Sequence, residues 1–446
     1  MLRFGTDGVR GVALTELTPS FVCALGAAAA RVLGNGTWLI GRDTRESGSV
    51  LENALLEGLQ SEGALVVLCG VMPTPALALF SATHQAPAAM ITASHNPYTD
   101  NGVKIFAVGG VKLSDSVESQ IETQLEIGLL GDADRRATGA AVAPPTHVDS
   151  AVEHYVDHLV ALFPPNALAG MRVVVDCANG AMSVAAPAVV RALGAEVTVI
   201  NAEPNGTNIN ADCGATHPAS LAAAVISDGA DAGLAFDGDG DRVIAIDEHA
   251  NVVDGDRLIA LGALQLKHEG ALTNDTVVVT VMSNLGFHRA MRDAGINVVA
   301  TAVGDRYVLE ALDAGDFAIG GEQSGHIIYR HLATTGDGLL AGVRLLHHVT
   351  VAGHSLADIA AAVMTTYPQV LVNVRVNERH PRIATELASE IARVERELGG
   401  EGRVLVRASG TEPLVRVMVE AASDDLARRL ADQLASVVRE RFAAHS

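Results

Sequence analysis

Three times along its 446 residues this chain repeats one order: strand, helix, strand, helix, and a third strand that runs into a polar loop. In the first round, Trp38–Ile40 and Leu65–Cys69 read as strands. The third strand, Ala88–Thr92, runs into Ala93-Ser94-His95-Asn96-Pro97. In the second round the strands are Arg172–Asp176, Glu196–Asn201 and Ala232–Phe236, and the loop is Asp237-Gly238-Asp239-Gly240-Asp241-Arg242. In the third they are Val277–Met282, Asn297–Ala302 and Phe317–Gly320, and the loop is Gly321-Glu322-Gln323-Ser324-Gly325-His326. Short Val/Ile-rich runs between Ala/Leu-rich helical stretches predict sheets covered on both faces. Ligands of such sheets bind beyond the carboxyl ends of the strands. All three polar loops fall at such ends, which predicts one shared cleft.

The remainder of the chain, from about Tyr367, follows another plan. Val370–Val376, Arg403–Val406 and Val415–Glu420 read as strands, accompanied by charged helices near Ala384–Leu398 and Asp424–Phe442. The fold class is therefore α/β: three similar α/β domains with mixed, mainly parallel sheets, plus a C-terminal α+β domain, around one central cleft. Pro144-Pro145 and Tyr367-Pro368 read as linkers. The expected domains are residues 1–150, 151–252, 253–366 and 367–446.

A formal charge of −21 argues against nucleic acid and against anionic membrane surfaces, both of which attract basic faces. If the ligand is instead a phosphate, the few cations must be gathered locally. The chain has only three lysines, Lys104, Lys112 and Lys267. Its four cysteines, Cys23, Cys69, Cys177 and Cys213, form no CxxC or CxxH pair, so a zinc site is not expected and the thiols read as reduced. The apolar stretch from Phe21 is broken by Arg31, short of a membrane span, and no basic leader precedes it. These features predict a cytoplasmic protein.

In an extended segment, residues two apart project to one side, so Asp237, Asp239 and Asp241 crowd three carboxylates together. A cation relieves that repulsion, and an oxygen-only set suits Mg²⁺ or Ca²⁺. An EF-hand fits poorly, because Arg242 stands where its loop needs Gly. An aspartyl nucleophile and a plain Gly/Asp hairpin turn are the other readings.

Ser94 taken alone could be a turn residue. Its surroundings, with Lys104 nearby and Arg10 in a Gly-rich loop, suggest a chemical role. His95 adjoins it, but adjacent side chains in a strand point apart, so a simple Ser–His pair is not expected. No Gly-x-Ser-x-Gly elbow is present. The segment Arg407-Ala408-Ser409-Gly410-Thr411, with Arg416 following, combines guanidinium, hydroxyl and Gly backbone groups suited to a phosphate, or to an ordinary polar hairpin. Glu322, Ser324 and His326 could hydrogen-bond sugar hydroxyls or an amine, or sit in a surface turn. Neither a nucleoside-triphosphate loop nor a dinucleotide fingerprint occurs. A magnesium-type site without a nucleotide motif points to moving phosphate already present.

Over essentially its whole length the sequence resembles the α-D-phosphohexomutase superfamily. Thr92-Ala-Ser-His-Asn-Pro97 resembles the phosphoserine loop, Asp237–Arg242 the metal loop, Gly321–His326 the sugar-binding loop and Arg407–Pro413 the phosphate-binding loop. Phe4–Gly11 and Ser409-Gly-Thr-Glu-Pro413 are most similar to the branch that acts on glucosamine phosphates. Ala408 departs from that branch, which usually has Pro there.

The resemblance implies a phosphorylated Ser94 that exchanges its phosphoryl group with glucosamine 6-phosphate or glucosamine 1-phosphate through a hexosamine 1,6-bisphosphate, which also serves as primer. It implies Mg²⁺ held by Ser94, Asp237, Asp239 and Asp241, with Arg10, Lys104 and His95 as catalytic groups. Arg242, Glu322, Ser324 and His326 would bind substrate. Arg407, Ser409, Gly410, Thr411 and Arg416 would hold the unreactive phosphate, and a homodimer is common among relatives. A preference for glucose or mannose phosphates, a non-catalytic sugar-phosphate sensor, and a phosphatase are the rival expectations.

Overall fold

Every polar loop at a third-strand end is the tip of a β-hairpin in the computed structural model, which describes residues 2–130, 143–409 and 413–442. The first sheet contains β1 (Val9–Val12), β2 (Thr37–Arg42), β3 (Leu65–Val71), β4 (Ala88–Ile91), β5 (Asp100–Ala107), β6 (Val111–Lys112) and β7 (Thr146–His147). Its order is β1-β5-β4-β2-β3-β7, with β6 on β5. The second contains β8 (Arg172–Asp176), β9 (Glu196–Ile200), β10 (Ala232–Phe236), β11 (Val243–Asp247) and β12 (Val252–Val253), in the order β12-β11-β10-β8-β9. The third contains β13 (Thr276–Thr280), β14 (Asn297–Thr301), β15 (Ile319–Gly321) and β16 (Ile327–Tyr329), in the order β14-β13-β15-β16.

The parallel core is the same each time. β2 lies between β3 and β4, β8 between β9 and β10, and β13 between β14 and β15. An antiparallel strand then returns along the third strand: Ile91 pairs with Val103, Phe236 with Val243 and Gly321 with Ile327. Strands such as Ala88–Ile91, Ala232–Phe236 and Thr276–Thr280 are buried at every position. Their unbroken apolar runs follow from helices covering both faces. The helices start on ordinary signals; Thr18 Oγ1, for example, accepts the Phe21 N–H at 3.2 Å ahead of helix Pro19–Leu33.

The chain divides into two compact units. The first holds the described residues up to Met282 and from Ile296 to Ala362; the second holds residues 283–295 and those from Val363 onward. The second unit is built on β17 (Gln369–Arg375), β18 (Arg403–Ala408) and β19 (Leu414–Glu420), antiparallel in the order β17-β19-β18. Helix Asp424–Phe442 packs its Leu430, Leu434 and Val438 into the core of this sheet. Helix Leu285–Asp293 belongs to this unit although it lies between β13 and β14 in the chain. Glu420 accepts the Leu285 N–H at 2.9 Å, and the Arg289 guanidinium stacks 4.9 Å from the Tyr367 ring centroid. All four cysteines are free thiols. Among the described residues, no helix is long and apolar enough to cross a membrane.

One buried carboxyl makes stability depend on pH. Asp337 caps helix Gly338–Ala352, its Oδ1 accepting the Leu340 N–H at 2.9 Å and the Tyr155 hydroxyl at 2.8 Å. Burial pushes its pKa up from 3.8 to about 6, outweighing those hydrogen bonds. The folded state therefore binds this proton more tightly than the unfolded state. The resulting stability is present below the unfolded pKa and is lost as pH rises through about 6. Relative to Asp337→Asn, which cannot titrate, the native chain should gain on the order of 1 kcal/mol between about pH 7.5 and about pH 5. Urea unfolding midpoints of both proteins at the two pH values check this; a constant difference would refute it.

Candidate active site

Within the first unit the tips of the serine and aspartate hairpins meet. The Ser94 hydroxyl donates to Asp237 Oδ2 at 2.5 Å, and Asp237, Asp239 and Asp241 hold one carboxylate oxygen each within 4.8 Å of one another. Ser94, Asp237 and Asp239 are fully buried and Asp241 nearly so. The two tips approach because Gly238 has no side chain. A Cβ there would stand 2.6 Å from the Ser94 carbonyl oxygen.

Ser94 itself is in the left-handed region, at φ 54°. It is therefore not extended, and the expectation that His95 points away from it does not hold. Ser94 Oγ lies 3.4 Å from His95 Nδ1. Burial, followed by the charges of Arg242 and Arg10, lowers the His95 pKa to about 4, so its imidazole is neutral near pH 7.

Lys104 projects from β5, opposite Met90 of β4. Its Nζ lies 2.8 Å from Asp239 Oδ2, 2.8 Å from Asp241 Oδ2 and 3.0 Å from Asp7 Oδ2. Burial alone would discharge it, but these three carboxylates raise its pKa well above the usual range. Asp237 shows the opposite balance: burial, then the charges of Asp241 and Asp239, push it well up. Burial also works to raise Asp241, yet Lys104 and His326 hold it well below the usual carboxylate range.

Lys104 occupies Oδ2 of Asp239 and of Asp241, and Thr74 also donates to Asp239 Oδ2, at 2.6 Å. Oδ1 of both aspartates is buried with no hydrogen-bond partner. Asp239 Oδ1 is left without a partner, and Asp241 Oδ1 meets only longer contacts, His326 Nδ1 at 3.6 Å and Arg242 Nε at 3.8 Å; beside Asp237 they form a hard, all-oxygen set, which fits Mg²⁺ and not a soft-ligand metal.

The Gly321–His326 loop joins the Asp237–Arg242 loop through backbone. Arg242 and His326 form a β-bridge, and Val243 N–H donates to Gly325 O at 3.1 Å. Gly325 sits at φ 90°, and a Cβ there would lie 2.1 Å from the Val243 carbonyl oxygen, so only glycine fits. A cavity of about 240 Å³ is lined by Asp7 and Arg10, His95, Asp241 and Arg242, and Glu322 and His326, among others. His326 stands between Asp241 and Asp305, at 3.6 and 3.5 Å. Ser324, by contrast, is exposed and does not line this cavity.

Sequence reasoning passed over three residues here. Asp7 bonds Arg10 and accepts from Lys112 Nζ at 2.8 Å, and Lys112 also pairs with Asp305. Thus two of the three lysines converge on this cluster, while Lys267 pairs with Asp275. The scarcity of lysine was the signal that could have added Lys112 to the site.

In the second unit, Arg407 and Arg416 face each other across β18 and β19. Burial, then the Arg416 charge, lowers the Arg407 pKa. Among the described residues neither guanidinium is bonded to a carboxylate, and both Nε atoms are buried without a partner. Such a pair has the charge and the spare N–H donors that an anion would need. Ser409 is buried beside them in sequence; Gly410 and Thr411 lie outside the described residues.

The fold and these loops fall into a known class. Phosphoglucomutase/phosphomannomutase alpha/beta/alpha domains I, II and III match residues 1–128, 153–251 and 254–367, and the C-terminal domain of the same family matches residues 371–437. The chain belongs to the phosphoglucomutase/phosphomannomutase family. Among its relatives, the phosphoglucosamine mutases of Rhodococcus jostii and Saccharopolyspora erythraea are each 52% identical, over 444 and 443 residues, covering 98% of both chains in each pair. The fold matches a phosphoglucomutase/phosphomannomutase family protein of Burkholderia thailandensis at 22% identity and TM-score 0.79, over 98% of this chain and 97% of that one. It also matches Aspergillus fumigatus N-acetylphosphoglucosamine mutase in complex with GlcNAc-6P and magnesium, at 20% identity and TM-score 0.65, over 99% and 96%.

Proposed function

We propose that this chain interconverts glucosamine 6-phosphate and glucosamine 1-phosphate as an intramolecular phosphotransferase, the activity for which its curated relatives are named. The observation that carries the reading is the Ser94 hydroxyl set 2.5 Å from Asp237 in a buried cluster of three aspartates and Lys104. In the forward direction, phosphorylated Ser94 gives its phosphoryl group to one hydroxyl of the sugar phosphate. The Ser Oγ–P bond breaks, a sugar O–P bond forms, and the sugar hydroxyl proton leaves to a neighbouring base. The bisphosphate then turns over, and its other phosphate returns to Ser94.

Asp237, Asp239 and Asp241 would hold Mg²⁺ together with the Ser94 phosphate. When bound, the ion offsets charge on the transferring group as the serine oxygen leaves. Lys104 and Arg10 bring positive charge to that oxygen's surroundings, and His95 Nδ1 stands 3.4 Å from it. Arg242, Glu322 and His326 line the cavity where the sugar would sit, with Ser324 entering if the loop closes on substrate. Arg407, Ser409, Gly410, Thr411 and Arg416 would hold the phosphate that is not reacting. Excluding water from the phosphoserine keeps the transfer from ending as hydrolysis. The product would feed UDP-N-acetylglucosamine synthesis in the cytoplasm, and the working form would be a homodimer.

The test is ³¹P NMR of the protein with glucosamine 6-phosphate, Mg²⁺ and a trace of hexose bisphosphate. A growing glucosamine 1-phosphate signal without free phosphate is expected. Turnover only of glucose or mannose 6-phosphate would move the substrate assignment, and free phosphate alone would make the protein a phosphatase.

A further inference from the structure

A closed ring of hydrogen bonds surrounds the Ser94 peptide and ends on one carboxylate. The Ser94 N–H donates to Thr92 Oγ1 at 2.9 Å, and the Thr92 hydroxyl donates to Asp43 Oδ2 at 2.7 Å. Arg45 Nε donates to the same Oδ2 at 2.9 Å, and its Nη2 donates to the Ser94 carbonyl at 3.0 Å. Both polar groups of the Ser94 peptide are thus tied to Asp43. Asp43, Arg45 and Thr92 are each at most 1% exposed, so no water competes for these bonds.

The Arg45 guanidinium is fully used. Besides Ser94 it donates to the carbonyls of Asn96 at 2.8 Å, Asp100 at 3.0 Å and Pro97. A second donor reaches the same loop from the other side. Asn210 Nδ2, from the segment between β9 and β10, lies 2.9 Å from the Ser94 carbonyl and 3.1 Å from that of Asn96. Arg45 and Asn210 therefore converge on one pair of carbonyls from two different sheets' domains.

This bonding has an energetic purpose. A non-glycine residue at positive φ costs about 1–3 kcal/mol and persists only when its surroundings over-determine it. Ser94 is such a residue, and extended backbone would swing its Oγ away from Asp237. A displacement of about 1 Å at a reacting group can cost on the order of 100-fold in rate. We propose that Arg45 and Asn210 are positioning residues for phosphoryl transfer, which clamp the Ser94 carbonyl so that Oγ stays aimed at the aspartate cluster. Asp43 and Thr92 anchor the clamp. Neither Arg45 nor Asn210 touches the reacting oxygen, so their effect passes through backbone geometry. The assignment rests on Ser94 being the phosphoryl carrier.

Asn210→Ala is the primary test, because it removes two hydrogen bonds and no charge, and it is read beside Asn210→Gly, because Asn210 is itself at φ 57°, where alanine adds a backbone penalty and glycine does not; Arg45→Lys tests the other half. Three quantities are measured: phosphate incorporation into Ser94 from hexose bisphosphate, kcat and KM for the sugar phosphate, and the melting temperature. For Asn210→Ala we expect kcat and the incorporation rate to fall together by about 10-fold or more, with KM within about two-fold and the melting temperature within a few degrees. Arg45→Lys should fall further, since a point charge cannot reach four carbonyls. If Arg45→Lys does not fold, Asn210→Ala decides alone. An unchanged kcat and incorporation rate in Asn210→Ala, or a loss expressed equally in KM, overturns the clamp. Failure of the native protein itself to label Ser94 overturns the carrier role instead.

Discussion

Ser94→Ala is expected to lose turnover by at least about 10⁴-fold, the scale seen when a nucleophile is removed, while the protein still folds. Among the described residues Ser94 supplies the hydroxyl bonded to Asp237, so its removal takes away the acceptor on which this exchange depends. Alanine alone is an incomplete experiment, however. Ser94 sits at φ 54°, where alanine keeps the backbone penalty and loses the hydroxyl's bond to Asp237. Ser94→Gly removes the hydroxyl and the penalty together, since glycine populates this region freely. The pair separates chemistry from strain. Both variants should be inactive by ³¹P NMR, and Ser94→Gly should melt at or above Ser94→Ala. Activity within about 10-fold of the native chain in either variant would exclude phosphoserine transfer.

Much of this site could be read from the sequence, and the reasons are physical. The strand Ala232–Phe236 was legible to the residue, because a strand buried on both faces is an unbroken apolar run and the Gly/Asp loop ends it abruptly. The crowding of Asp237, Asp239 and Asp241 was anticipated, but from an extended segment; the three sit instead in a turn closed by Gly240 N–H on the Asp237 carbonyl at 3.1 Å, with Gly240 at φ 74°. What escaped was the return strand of the serine hairpin. Strand β5 opens on Asp100-Asn101-Gly102, which reads as a turn, and β16 is only three residues long. Long-range pairing with β4 and β15, not local preference, makes them strands. The left-handed Ser94 was also invisible. Positive φ in a serine has no compositional mark, and it is enforced by Arg45 and Asn210, far away in sequence. That single angle reversed the expected relation between Ser94 and His95. In the second unit, Arg407 and Arg416 could be proposed from their motif, but their facing register needed β18 and β19 paired.

Lys104→Met should have the second large effect, and it should change the site's response to metal as well as to substrate. Methionine fills most of the same volume and carries no charge. The substitution leaves the buried Asp239 and Asp241, and the half-buried Asp7, without the cation that lies within 3.0 Å of each. Removing one partner of a buried ion pair costs about 3–5 kcal/mol, and three carboxylates share this partner. The acid limb of stability should move as well. Asp7 and Asp241 are held well below the ordinary 3.8, Lys104 being the largest attractive influence on each against the penalty of burial. Their contribution is present above the unfolded pKa and lost only as pH falls through the depressed folded values. Without Lys104 the folded pKa values rise, so Lys104→Met should unfold at a higher pH than the native chain. A divalent cation should then matter more, because binding to the folded state alone stabilises it by mass action. The rise in melting temperature between EDTA and millimolar Mg²⁺ should be larger for Lys104→Met than for the native protein, even though turnover falls. An equal rise in both proteins, with an unshifted acid limb, would mean that Lys104 and the cation do not answer to the same carboxylates, and the division of Oδ2 to lysine and Oδ1 to metal would have to be given up.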